Sequence, residues 1–198
     1  MKLLVVTAVA AERDAIGRDG VVVGGVGPAA SAAATSAALA AARYDLVVCA
    51  GIGGGFAPLR VGDIAVASCT AFADLGADSP DGFVPFDFAT DRYDVAPRLG
   101  VELADRTGGH LGTVLTVATV TGTAAGAAAL LARYPDAVAE GMEGAGVAAA
   151  ATLHGVPFAE IRAVSNPVGP RDREAWRVAE ALEALGMAVN AVAAGWQL

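Results

Sequence analysis

The chain has 198 residues, a length typical of one domain with a single hydrophobic core. Hydrophobic residues make up 55% of it and charged residues 17%, proportions that argue against a disordered chain. The formal net charge of −8 argues against nucleic acid and against an anionic membrane surface as partners, because both would be repelled.

Short β-branched runs alternate with alanine-rich runs along the chain, a pattern typical of an α/β domain. We expect a single domain over residues 1–198, with a mixed central sheet flanked by helices. The predicted strands cover residues 2–9, 21–25, 46–51, 63–73, 112–118, 137–140 and 157–164. The predicted helices cover residues 10–17, 28–43, 122–134, 144–154 and 171–196.

The first residues combine one positive charge with an apolar run, as a weak signal peptide would. Glu12, Arg13 and Asp14 follow too soon for that interpretation, so the run is better read as a buried first strand. The apolar stretches are interrupted before they reach the length of about 18 residues that a spanning helix requires. We therefore expect a cytoplasmic protein.

The two cysteines, Cys49 and Cys69, lie in apolar stretches without C-x-x-C or Cys/His spacing. This favours buried thiols in a reducing compartment over a disulfide or a metal site. No metal ion is expected.

The first glycine-rich motif, residues 24–30, contains G-x-G-x-x-A between a predicted strand and a predicted helix. That spacing occurs in dinucleotide-binding turns, but Pro28 removes one N–H from the helix start that would hold the pyrophosphate. A tight strand–helix turn is the preferred interpretation.

The second glycine-rich motif, residues 51–56, includes Gly54 and follows the third predicted strand. We expect a loop here. Its glycines would either bring backbone N–H groups close to a bound ligand or form a packing turn.

Charged and polar residues mark two further segments. Glu140 and Glu143 straddle a strand end and a helix start, where a carboxylate either accepts hydrogen bonds from a vicinal diol such as ribose or simply caps the helix. Arg162 lies in a predicted buried strand that leads to Asn166. A buried arginine needs a carboxylate or a ligand, the alternative being a solvent-facing edge. Asp172 is predicted to cap the last helix.

Residues 74–100 differ from the rest, being rich in Asp, Gly, Pro and Phe without a clear period. A long insertion of this kind is usually a functional loop or an arm that contacts a partner.

Together these motifs resemble the nucleoside phosphorylase superfamily, nearest its nucleosidase branch. The resemblance covers nearly the whole chain and rests on four segments in the same order: residues 8–12, 51–64, 142–143 and 162–166. Within that branch, residues 73–83 and 165–172 are similar to the futalosine hydrolases, a family that releases hypoxanthine from futalosine in the menaquinone pathway.

The resemblance implies a nucleosidase whose transition state resembles an oxocarbenium ion. Glu143 matches a carboxylate that binds the ribose diol, and Met142 matches a residue packed under the ribose. Glu12 matches the carboxylate that deprotonates the attacking water, and Arg162 matches a residue that orients this water and the acid. Val120 falls where the family places a residue against the base. The resemblance also implies a small-molecule nucleoside as partner, no cofactor, and assembly as a homo-oligomer, as in relatives.

Two residues depart from the methylthioadenosine-cleaving nucleosidases. Asn166 replaces an aspartate that can protonate purine N7. An amide can instead accept from a protonated N7 and donate to a 6-oxo group, which favours hypoxanthine over adenine. Ile52 replaces a serine near the water, so the water would depend on Glu12, Arg162 and the backbone.

Three questions stay open at this level. A phosphorylase would share the fold, although residues 51–56 carry no hydroxyl or cation for a phosphate. A nucleoside-binding protein without activity is the other alternative. Arg60, Arg171 and Arg173 are each candidates to pair with a carboxylate of the substrate.

Overall fold

The computed structural model describes residues 2–80 and 82–194. Its strands are β1 (Leu3–Thr7), β2 (Val21–Val23), β3 (Leu46–Gly55), β4 (Ile64–Phe72), β5 (Gly76–Ser79), β6 (Gly82–Pro85), β7 (Arg92–Asp94), β8 (His110–Thr116), β9 (Ala137–Gly141) and β10 (Phe158–Pro167). Its helices are α1 (Ala10–Ile16), α2 (Pro28–Ala41), α3 (Pro97–Thr107), α4 (Ala124–Arg133), α5 (Gly144–Leu153) and α6 (Val178–Ala193).

The main sheet is mixed, in the order β10-β4-β8-β9-β3-β1-β2, with β7 paired to β4. β10 pairs with β4 on one side and with β3 on the other, while β9 pairs with β3 only at Gly54 and Gly55. The pairings therefore lead from β3 through β10, β4, β8 and β9 back to β3. The sheet closes on itself at a pair of glycines.

The core is built from the apolar residues of β1, β3, β4 and β10, all of which carry continuous buried runs. Such runs are expected where a sheet is covered on both faces. α6 packs against β3 and β10 with α1 and α3 beside it, and α2 packs against α5. The predicted fold class, an α/β domain with a mixed central sheet flanked by helices, is confirmed.

Two predicted boundaries were wrong. The expected loop at residues 51–56 is mostly strand, because β3 continues to Gly55. The last helix begins at Val178 and not at residue 171, so Asp172 does not cap it. Instead the carboxylate of Asp172 accepts from the N–H groups of Glu174 and Ala175, closing a turn. The N–H of Arg177 then donates to the carbonyl of Ser165, which holds this segment against the end of β10.

The region 74–100, expected to be an irregular loop or arm, contains regular structure. β5 and β6 form an antiparallel hairpin, β7 adds to the edge of β4, and α3 follows. α3 was not predicted because Gly100 lies inside it, although Pro97 at its start and Gly108 after its end are typical helix boundaries. In the hairpin region Phe86 stacks on Phe88, which is 81% exposed.

No helix among the residues that the structure describes is both long and apolar enough to cross a membrane.

Candidate active site

A cavity of about 320 Å³ opens where β1, β3, β8, β9 and β10 end. Six of the residues singled out from the sequence line it together, namely Glu12, Gly54, Val120, Met142, Glu143 and Asn166. Arg162 is not in the cavity wall; it lies fully buried behind Glu143. Segments far apart in the chain are thus brought to one place, as the motif order suggested.

Glu12 lies in the first turn of α1 and is 3% exposed. One carboxylate oxygen accepts from the N–H groups of Ala8 and Val9, at 2.8 and 3.2 Å, and the other accepts from the N–H of Ile52 at 2.9 Å. Three backbone donors and the positive end of the helix stabilise the ionised carboxylate. The Glu12 carboxylate is therefore held in one orientation at the cavity wall.

Glu143 precedes the first residue of α5 and is 5% exposed. Its Oε1 accepts from the N–H of Gly27 at 3.1 Å, and its Oε2 accepts from Nη1 of Arg162 at 3.0 Å. The turn at residues 24–30, interpreted from sequence as a tight strand–helix turn, thus also supplies a backbone donor that holds Glu143. α2 begins there with Pro28 in its first turn, as predicted.

Arg162 is held by a second carboxylate that sequence analysis missed. Its Nε donates to Oε1 of Glu160 at 2.8 Å, and the other oxygen of Glu160 accepts from the hydroxyl of Thr70. Nη2 donates to the sulfur of Cys49 at 3.3 Å. The expectation that Arg162 is buried and paired with a carboxylate is confirmed. Cys49 is buried, as expected, and its sulfur also accepts a hydrogen bond from this arginine.

Glycines make this charged arrangement possible. A β-carbon at Gly51 would lie 2.7 Å from Nη1 of Arg162 and 2.8 Å from Oε1 of Glu12. A β-carbon at Gly141 would lie 2.7 Å from the guanidinium carbon of Arg162. All three distances are shorter than real β-carbon contacts, so the Arg162 side chain fits only because positions 51 and 141 carry no side chain. Across Gly51 it approaches Glu12.

The protonation of this group follows from burial and charge. Burial acts to lower the pKa of Arg162, but the surrounding acidic groups outweigh it and hold the pKa well above its usual range. Burial raises the pKa of the Cys49 thiol well above its usual value. Burial also raises the pKa of Glu160, opposed by the charge of Arg162 and by the Thr70 hydrogen bond. At neutral pH Arg162 is charged and Cys49 is a neutral thiol.

Asn166 lies at the opposite end of the cavity. It is half-buried, and its amide nitrogen donates to the carbonyl of Pro167 at 2.9 Å. The hydroxyl of Ser165 reaches the amide oxygen at 2.8 Å and the carbonyl of Gly53 at 3.1 Å, and its one proton can serve only one of them at a time. These contacts orient the amide at the cavity edge.

Glu140 flanks the same end from the other side. Gly54 is the register partner of both Glu140 in β9 and Asn166 in β10, so the three positions form a row across the sheet, and the side chain of Val168 lies against the glycine. Thr121 donates its N–H and its hydroxyl to the Glu140 carboxylate. Burial raises the pKa of Glu140, and these two hydrogen bonds oppose the rise.

Two residues of the site, Glu160 behind Arg162 and Trp176 in the cavity wall, escaped the sequence analysis. Glu160 had a detectable signal, because a charge two residues before Arg162 in an apolar strand points to the same face. Trp176 lines the cavity and lay inside a predicted helix. Of the three candidate arginines, Arg171 lines the cavity and lies over the Trp176 ring, 5.7 Å from its centroid.

Ile52, which stands where the methylthioadenosine-cleaving nucleosidases have a serine, lies in the cavity wall, and its N–H donates to Glu12. Within residues 2–80 and 82–194, no three His, Cys, Asp or Glu side chains are grouped so that they could hold a metal ion.

Comparison with known sequences identifies close relatives. The sequence profile described as the phosphorylase superfamily matches residues 16–194. The futalosine hydrolase of Streptomyces coelicolor is 52% identical, with 98% of this chain and 95% of that protein aligned. The futalosine hydrolase of Acidothermus cellulolyticus is 48% identical over 99% of this chain and 92% of its own length.

Solved structures share the fold. The futalosine hydrolase of Helicobacter pylori superposes with a TM-score of 0.83 at 18% identity, covering 98% of both chains. The 5'-methylthioadenosine/S-adenosylhomocysteine nucleosidase of Neisseria meningitidis, in complex with methylthio-immucillin-A, gives 0.84 at 21% identity, covering 98% of this chain and 99% of that one. On the strength of the sequence identities and the superfamily match, this chain belongs to the phosphorylase superfamily and, within it, to the futalosine hydrolase family.

Proposed function

We propose that this protein hydrolyses the N-glycosidic bond of futalosine, releasing hypoxanthine and dehypoxanthine futalosine in menaquinone biosynthesis. The observation that carries the proposal is the pair of buried carboxylates, Glu12 and Glu143, held by backbone N–H groups at one end of the cavity. The 52% identity to a futalosine hydrolase over nearly the whole chain supports the choice of substrate.

Glu143 binds the two ribose hydroxyls, with Met142 packed beneath the sugar. As the bond to the base breaks, positive charge develops on the ribose, and the nearby carboxylates stabilise it. Glu12 removes a proton from the attacking water. Arg162 orients the water and the acid through its contact with Glu143 and its closeness to Glu12 across Gly51.

Asn166 recognises the base, accepting through its oxygen from N7–H and donating through its nitrogen to the 6-oxo group. The proton on N7 comes from solvent as the base departs. Val120, which lines the cavity, packs against the ring of the base. A 6-oxopurine also carries an N1–H group, which donates a hydrogen bond to the Glu140 carboxylate. The N1 of adenine carries no proton and cannot make this hydrogen bond. Both ends of this row therefore favour hypoxanthine.

Water, not phosphate, is the proposed nucleophile. The N–H of Ile52 is used by Glu12, and the N–H of Phe56 donates to the carbonyl of Val138, so this strand does not form a nest for an anion. The negative charge of Glu12 would also repel a phosphate.

A small nucleoside is the proposed partner, with no cofactor. Assembly as a homo-oligomer and a cytoplasmic location stay predictions from the sequence and its resemblance.

The decisive experiment supplies purified protein with futalosine, inosine and methylthioadenosine in turn, without phosphate, and measures the free base. Hypoxanthine from futalosine, unchanged when phosphate is added, is the expected result. Release that requires phosphate would make the protein a phosphorylase. Adenine from methylthioadenosine at a comparable rate would contradict the role given to Asn166.

A further inference from the structure

We propose that Glu160 is a positioning residue whose carboxylate cancels the charge of Arg162, so that Glu143 keeps its negative charge toward the ribose. This inference rests on the glycosidic cleavage proposed above.

The two carboxylates that contact Arg162 differ in their access to the cavity. Glu143 lines the cavity, whereas Glu160 has no exposed surface and lies outside the cavity wall. The Arg162 guanidinium stands between them, with Nη1 on Glu143 at 3.0 Å and Nε on Glu160 at 2.8 Å. Glu160 can therefore influence the substrate only through Arg162.

Several titratable or polar groups face this arginine or its buried carboxylate, each from a different element. They are Glu12 on α1, Cys49 on β3, Thr70 on β4 and Glu143 before α5. Cys49 is a neutral thiol, because burial raises its pKa, and Thr70 carries no charge. Glu160 is thus the one group, among the described residues outside the cavity wall, that supplies a negative charge to the guanidinium.

The charges around Arg162 determine the net negative charge that faces the ribose. With Glu160 in place, Arg162 has two carboxylate partners, and Glu143 and Glu12 together remain negative toward the cavity. Without it, the buried guanidinium would neutralise Glu143 alone. The negative charge facing the ribose would then be that of Glu12 alone, so the cation that develops when the bond breaks would be stabilised less, and low polarity would make this difference large.

The central variant is Glu160→Gln, which keeps the shape and an acceptor for Nε but removes the charge. We expect kcat for hypoxanthine release to fall by about 10- to 100-fold with little change in KM.

A binding measurement isolates the electrostatic effect. The probes are 9-deazahypoxanthine on a protonated hydroxypyrrolidine and the same base on a neutral ribose, and calorimetry gives the ratio of their affinities. Glu160→Gln should lower the preference for the cationic probe by about tenfold or more. This ratio needs no turnover. Failure of the wild type to release hypoxanthine would therefore count against the proposed function, while an unchanged ratio would count against the role of Glu160.

Two controls separate charge from structure. Thr70→Val removes the hydroxyl that holds Glu160, but the charge of Arg162, which favours the ionised carboxylate more than this hydrogen bond does, remains beside it. The affinity ratio should therefore stay close to that of the wild type. A double variant, Glu160→Gln with Arg162→Gln, removes both charges and should restore the preference for the cationic probe.

The double variant keeps the test decisive if the single Glu160→Gln chain does not fold, because it buries no guanidinium short of a carboxylate, and Glu143 keeps the N–H of Gly27 as a donor. The proposal would be overturned if the double variant prefers the cationic probe as weakly as is expected of Glu160→Gln alone. An equal loss in Thr70→Val would also overturn it, since a purely structural role predicts both.

Discussion

At the proposed ribose end of the cavity the polar side chains lie on β10 and on helix starts, and Glu12, Glu143 and Arg162 are all at most 5% exposed. At the base end, Val120 lies after β8 and is 36% exposed, and Asn166 is half-buried at the end of β10. Trp176 lies in the irregular segment before α6. The first end is rigid and charged, and the second is neutral apart from Glu140 and Arg171 and is built largely from connecting segments.

The difference assigns separate tasks to the two ends. Fixed charges and backbone donors suit the stabilisation of charge during bond breaking, which requires that little moves. Connecting segments suit the choice of base, because they change with little cost to the core. Substitutions at the ribose end should therefore abolish turnover, and substitutions at the base end should redirect it.

The largest expected effect is at the ribose end. Glu12→Gln removes the proposed base, and we expect kcat to fall by about 10²- to 10⁴-fold with nucleoside binding retained. The matched control is Asp14→Asn, an exposed acid on the same helix, which should retain full activity. Turnover of Glu12→Gln close to that of the control would refute the assignment.

A second variant tests whether the ribose end is as rigid as described. In Gly51→Ala the new β-carbon would displace Arg162 or Glu12, and we expect at least a tenfold loss of kcat and a stability loss of about 1–3 kcal/mol. In Gly122→Ala the nearest atom is a side-chain carbon of Arg171 at an ordinary 3.8 Å, so both quantities should change little. Assays and urea unfolding of the pair would measure the contrast. Equal tolerance would mean that the charged group can shift.

At the base end the expected effect is a change of preference. Asn166→Asp can protonate N7 and accept from a 6-amino group, so the ratio of kcat/KM for 6-amino over 6-oxo nucleosides should rise by about 10- to 100-fold. Competition between inosine and adenosine nucleosides measures it directly. A uniform loss on both substrates would mean that Asn166 does not read the base.

The smallest effect concerns pH and stability. Burial raises the pKa of Glu140 in the folded state, so the folded protein binds its proton more tightly than the unfolded chain does. The wild type should therefore lose stability relative to Glu140→Gln as pH rises above the unfolded pKa and through the raised folded value. The loss is about 1.4 kcal/mol per unit of pKa difference.

Urea unfolding of both chains between pH 4 and pH 8 checks this. Glu102→Gln, which changes an exposed acid paired with Arg106, should follow the wild-type curve. A wild type that gains stability over Glu140→Gln in that range would show that the Thr121 hydrogen bonds outweigh burial.

Much of the fold was predictable because its strands are continuous apolar runs bounded by glycine and proline, and its alanine-rich helices have ordinary starts and ends. α3 and the β5–β6 hairpin were not, since Gly100 interrupts one pattern and the hairpin strands are short and exposed. The delayed start of α6 depends on a long-range contact, from Arg177 to Ser165, that no local pattern encodes.

The residues of the candidate site were predictable in kind but not in their connections. Glu12, Glu143 and Arg162 stood out as charges at strand and helix boundaries or inside an apolar run. Their partners did not. No sequence pattern indicates that the N–H of Gly27 donates to Glu143. The contacts of Thr70 with Glu160 and of Cys49 with Arg162 form only when distant strands pack together.

The segment from Gly51 to Gly55 has the composition of a flexible linker, yet each of its glycines faces a different neighbour. A β-carbon would meet Arg162 at Gly51, the Glu140 carbonyl at Gly53, Val168 at Gly54 and Val164 at Gly55. Residues 51–55 should therefore tolerate very few substitutions in a saturation mutagenesis screen. Gene variants that add a single methyl group there would be lost to selection, while bulkier changes at an exposed hairpin position such as Val84 would persist.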